Sequence, residues 1–154
     1  MIYIISIAIL LVVLFVALRP KKKPKIVSFK EVVVPKHWHH ILVENVLFYK
    51  KLTEEEQSLF KAKMVRFFEA TTIEAIHFEL EELDKLLIAA SAIIPVFRFP
   101  NWHYTNLSTV LMYPDYFDED LQFSSKTEGR NIGGLVGTGR FENHMILSRK
   151  ALHH

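Results

Sequence analysis

Leu107-Ser108-Thr109-Val110-Leu111-Met112-Tyr113-Pro114 is the stretch on which the fold class turns. Its short β-branched and aromatic run reads as a strand, and Pro114, which cannot donate to a ladder, closes it. The chain before it is mainly helical. After it come an acidic turn, a glycine-rich stretch and one further strand. Helices first and strands after, with little alternation, predict α+β rather than a doubly wound sheet.

Upstream, a helix is expected after Pro35, because Trp38, Leu42, Val46 and Tyr49 recur at steps of four, four and three. Thr53 opens the next one. With Glu56 three residues on it forms a capping box, and Glu54, Glu55 and Glu56 suit the positive end of the helix dipole. Phe60, Met64, Phe67 and Phe68 make its apolar stripe, which reads as core packing. Thr71 to Phe78 is β-prone and partly alternating, so a short strand is expected. Glu79 to Ile94 is a third helix, with Leu83, Leu86, Leu87, Ala90 and Ile94 on its buried face and Pro95 at its end. Phe97 to Asn106 is an aromatic loop.

Downstream, Asp115 to Leu121 reads as an acidic turn. Gly129, Gly133, Gly134, Gly137 and Gly139 are all the glycines of the chain and read as a mobile surface loop. Met145 to Ser148 is a last short strand, and Ser148 can cap a helix starting at Arg149. The expected body is therefore mainly helical, with a few short strands.

The N-terminus differs from all of this. Between Ile2 and Leu18 only Ser6 is polar, and no residue is charged. As a helix, that run would reach about 26 Å, close to the thickness of a thin bilayer. Arg19, Lys21, Lys22, Lys23 and Lys25 come directly after it, and no small-x-small cleavage site appears. The expectation is an uncleaved transmembrane anchor at 1–18, a basic, proline-containing linker at 19–34 and a body at 35–154. The positive-inside rule then places the protein at the inner (cytoplasmic) membrane as a single-pass chain, N-terminus out and body in the cytoplasm.

The chain carries a net charge of +2. Removing those five basic residues from its 19 Lys+Arg leaves 14 against 17 Asp+Glu, so the body is mildly acidic. The basic cluster suits anionic lipid head groups, and no direct nucleic-acid binding is expected. With no cysteine there is neither a disulfide nor a thiolate metal site.

The histidines give no metal motif. A zinc helix needs two His one turn apart with Glu beside the first. No His here precedes Glu, and none has another His four positions on. His37, His39 and His40 point around a helix rather than along one face. His77, His103 and His144 are isolated and read as hydrogen-bonded structural residues, while the end pair His153-His154 says little. The glycine-rich stretch has neither phosphate-loop spacing. Asp115, Asp118, Glu119 and Asp120 lack the alternation of a calcium loop and read as solvated.

Several segments nevertheless occur together in a telling order. They are Trp38-His39-His40-Ile41-Leu42-Val43-Glu44-Asn45-Val46, Phe48-Tyr49-Lys50-Lys51-Leu52, Glu54-Glu55-Glu56-Gln57-Ser58-Leu59-Phe60, Leu87-Ile88-Ala89-Ala90-Ser91-Ala92, Val110-Leu111-Met112-Tyr113-Pro114 and Met145-Ile146-Leu147-Ser148. From about Trp38 to Leu152 the chain resembles the N-terminal portion of the Mlc titration factor A (MtfA) family of zinc-dependent peptidases. One departure is Arg149, where the family commonly has Trp.

The resemblance implies a metallopeptidase that uses zinc when intact. Its H-E-x-x-H helix is expected beyond the last strand and is not found in these residues. No catalytic, cofactor-binding or metal-binding residue is therefore assigned, and no bound zinc is expected for this chain. The resemblance implies a peptide substrate or a transcriptional repressor as partner. By analogy, the Val110-to-Tyr113 strand would pair with an extended peptide. The function expected is the scaffold of a membrane-anchored, cytoplasm-facing zinc peptidase. The alternative is a non-catalytic, membrane-tethered interaction module that binds a transcriptional regulator.

Overall fold

In the computed structural model, residues 33–118, 120–121, 132–137 and 139–153 are described. Helix α1 spans Trp38–Asn45, and the short α2 spans Leu47–Lys50. The chain breaks between them at Val46, which is extended (φ −123°, ψ 93°). Trp38, Leu42, Val46 and Tyr49 are all buried, so the expected apolar face survives the break.

Helix α3 spans Glu54–Ala70 and opens on the expected capping box. Thr53 Oγ1 accepts from the Glu56 amide at 3.3 Å, and the Glu56 carboxylate accepts from the Thr53 amide at 3.1 Å. Phe60, Met64 and Phe67 are buried, and Phe68 packs beside them. Strand β1 is Thr72–Ala75 and helix α4 is Glu82–Ile93. Its buried residues include Asp84, Ile88, Ala89 and Ile93 as well as the expected Leu86 and Ala90. The reason is that α4 touches α1, α3 and the C-terminal helix, so more than one stripe of it is covered.

Strands β2 (Thr109–Tyr113), β3 (Gly134–Val136) and β4 (His144–Ser148) come next, and a short helix α5 (Arg149–Leu152) leaves β4 directly. The four strands form one sheet in the order β1-β2-β4-β3. β1 and β4 both pair with β2 in parallel, Val110 standing opposite Ile73 and Met145. β3 joins β4 antiparallel, with Leu135 opposite Ile146. Alternation along the strands separates two faces. Ile73, Val110, Met112, Met145 and Leu147 meet the helices in the main core. Leu111, Tyr113 and Ile146 face the other way, onto Phe117, Leu121, Ile132 and Phe141.

Three sequence expectations are corrected by this fold. The body is not mainly helical with a few separate strands: its strands join in one four-stranded mixed sheet, and α4 lies in the parallel crossover from β1 to β2. The glycine-rich stretch is not simply a loop, because Gly134 opens β3. Finally, no helix among the described residues is long and apolar enough to cross a membrane. The 1–18 run and the basic residues Arg19, Lys21, Lys22, Lys23 and Lys25 lie outside the described residues. The fold thus gives the single-pass, inner-membrane placement no spanning helix to rest on, and that expectation is withdrawn.

Candidate functional site

β3 is an edge strand, and its backbone can be traced bond by bond. The Ser148 amide donates to Gly133 O at 2.8 Å, and the Gly137 amide to His144 O at 2.8 Å. Residues 133 and 137 therefore turn their polar groups toward β4, and the period of two puts Leu135 with them. Gly134 and Val136 turn theirs to the opposite side. No further strand pairs there among the described residues. Just before β3, Ile132 exchanges both backbone bonds with Phe117, at 3.1 and 3.2 Å, which closes the edge as far as that residue. Beyond it the edge is open among the described residues, with Leu135 41% and Val136 68% exposed.

The glycines serve this geometry. A Cβ at Gly133 would lie 2.9 Å from the Ala151 Cβ, so glycine lets α5 sit close to the strand. A Cβ at Gly137 would collide with the Phe141 carbonyl in the β3–β4 connection. The peptide-pairing role expected of β2 is corrected by the same topology. β2 is bonded on both sides, to β1 and β4, and has no free edge for a third strand.

Asp84 fixes the end of β4 against the helical layer. Its carboxylate has no exposed surface. Oδ2 accepts from the Glu81 amide at 2.9 Å, and Oδ1 from Arg149 Nε at 2.9 Å and His153 Nε2 at 2.6 Å. Arg149 also reaches Glu81 Oε1 at 2.6 Å and lies 5.4 Å from the Phe78 ring centre. Burial alone would raise the Asp84 pKa. The His153, Glu81 and Arg149 donors outweigh it and hold the carboxyl below its ordinary value. Arg149 itself is raised, first by Glu81 and then by Asp84. Ser148 caps α5 as expected, its hydroxyl oxygen accepting from the Ala151 amide at 3.1 Å.

The described residues do not fit a metal centre. No three His, Cys, Asp or Glu side chains among them gather closely enough to hold an ion. His37 Nε2 bonds Glu82 at 2.7 Å, His39 bonds the Tyr49 hydroxyl at 3.0 Å, and His40 pairs with Glu44 at 3.3 Å. His103 and His144 bond the nearby carbonyls of Asn101 and Glu142. His77 stands in the left-handed region at φ 63°. In the acidic turn, Asp118 accepts from the Asp120 amide and Asp115 pairs with Lys150 at 3.2 Å.

Sequence reading missed both the β3 edge and Asp84. β3 carries a single β-branched residue, and its strand state comes from its pairing with β4. Asp84 finds its partners 65 and 69 residues away. The capping spacing from Glu81 to Asp84 was the one local signal.

No solved structure matches the chain. The uncharacterised protein slr2042 of Synechocystis sp. is 32% identical over 85 residues, which make up 54% of this chain and 31% of that protein. The chain thus spans about a third of the length of the curated relative it matches. Residues 18–154 match the family described as glucose-regulated metallo-peptidase M90. That match covers the segments from Trp38 to Leu152 and bears out the resemblance they carry. The chain therefore belongs to the M90 family of glucose-regulated metallopeptidases.

Proposed function

We propose that residues 35–154 are a substrate-presenting scaffold of a zinc-dependent peptidase, and that β3 takes an extended stretch of the substrate as an added strand. The observation that carries this is the open β3 edge, where the polar groups of Gly134 and Val136 face outward beside exposed Leu135 and Val136. Family membership supports peptide as the substrate class. Strand addition suits a peptidase, because main-chain pairing supplies affinity while side-chain pockets set specificity. No zinc ligand and no general base is assigned to any residue of this chain, and H-E-x-x-H does not occur in its 154 residues.

Binding of a blocked, alternating Val/Thr peptide of about seven residues, combined with amide hydrogen exchange, tests the edge. Peptide should slow exchange at Gly134 and Val136. Val136→Pro removes an outward donor and no bond to β4, so it should abolish peptide binding and leave the fold intact. Undiminished binding by Val136→Pro would refute the edge assignment. One tightly held zinc per chain, found by elemental analysis of the 154-residue protein, would refute the scaffold assignment.

A further inference from the structure

Among the described residues, Lys63 is a buried cation with no anion beside it. Its side chain lies on α3, and the residue is 7% exposed. Nζ donates to the Phe99 carbonyl at 2.7 Å and stands 5.9 Å from the Phe97 ring centre. An ammonium has three donors, and a buried one is ordinarily matched by a carboxylate. Among the described residues no carboxylate lies within salt-bridge distance of Lys63.

The same side chain lines a cavity of about 400 Å³ between α3, the end of α4 and the aromatic loop. That volume is in the range of small-molecule sites. Arg66, one turn on from Lys63, lines it too, as do His103, Trp102 and Tyr104. Among the described residues Glu69 is the single carboxylate in the lining, and it stands on the exposed rim. Trp102 is 55% exposed, its ring centre 6.1 Å from that of Phe99 and 6.5 Å from that of Tyr104. Burial, and then the Arg66 charge, lower the Lys63 pKa. An anion placed in the cavity would act against both effects through its charge.

We infer that this cavity binds an organic oxyanion, a carboxylate or a phosphate monoester, whose charge meets Lys63 and whose apolar body lies against Trp102 and Tyr104. The site stands apart from the β3 edge, so it can fail without touching the scaffold reading, and the reverse also holds. The ammonium supplies a charge-assisted bond in a partly desolvated place, and the exposed rings supply contact area.

Calorimetric titration of the full chain with phenylacetate, phenyl phosphate and neutral phenylacetamide tests it. At least one anion should bind saturably, and the amide should bind about tenfold more weakly or not at all. A preference for phenyl phosphate assigns a phosphomonoester, and a preference for phenylacetate a carboxylate. Lys63→Met keeps the stem and removes the charge, so it should weaken anion binding about tenfold. If that variant does not fold, Arg66→Gln, on the exposed rim, should weaken it about threefold. Equal binding of the amide, no binding of either anion up to about 10 mM, or unchanged affinity in the folded variants would overturn the inference.

Discussion

Asp84 is the residue whose loss would spread furthest. Asp84→Asn removes a charge that two side chains and one amide are arranged around, and its NH2 group must face either the Glu81 amide or the Arg149 and His153 donors. Breaking a buried pair from one side costs about 3 kcal/mol. A fall of that size in the urea unfolding free energy is the expected outcome. The pH dependence has a definite direction. A carboxyl held below its unfolded pKa, near 3.9, contributes stability above that value and loses it as pH falls through the folded one. Glu56, lowered first by its bond from the Thr53 amide and helped by Arg98, acts in the same direction. The melting temperature should therefore drop below about pH 4, and the drop should be shallower in Asp84→Asn. An equal slope in the two proteins would show that Asp84 does not drive the acid transition.

At the scale of elements, local rules wrote some parts and distant pairing wrote others. Thr53 to Ala70 was legible because its cap, its acidic first turn and its apolar stripe all lie within one helix. Thr53→Ala should cost about 1 kcal/mol, read by thermal unfolding, with Thr53→Ser close to wild type. β2 and β4 were legible from their apolar runs, to within a residue or two. β3 was not, because Gly133, Gly134 and Gly137 signal only backbone freedom; what that freedom serves lies in Ala151, Leu147 and Phe141. Gly137→Ala should cost about 2 kcal/mol or more, since the obstacle is backbone and cannot swing aside. Gly139→Asn, in open space at φ 58°, should change stability by about 0.5 kcal/mol or less. Equal melting of these two variants would show that the Phe141 approach does not constrain the connection. The Lys63 cavity was illegible for a similar reason. Its floor is on α3, its far wall is the loop from Pro100 to Tyr104, and the carbonyl that holds Lys63, that of Phe99, is 36 positions away.

At the scale of the whole molecule, the sheet binds the first half of the body to the last few residues. β1 pairs with β2, and β2 waits for β4, which is the last strand in sequence and lies between two earlier ones. A chain ending at Glu142 would lose β4 and, with it, the Arg149 and His153 anchors on Asp84. It should show no cooperative thermal transition, whereas the 154-residue chain should. A cooperative melt of the shortened chain would place its stability in the helices alone.

The position of β4 also has a consequence on the ribosome. Translation delivers β2 and β3 before the strand that joins them, so for a time each has an unfilled side. At about 5–20 residues per second, the roughly 40 codons from Thr109 to Ser148 take a few seconds. Throughout that interval the apolar run from Val110 to Tyr113 is open to any other nascent chain nearby, and a chaperone that shields it is most useful before residue 148 leaves the exit tunnel.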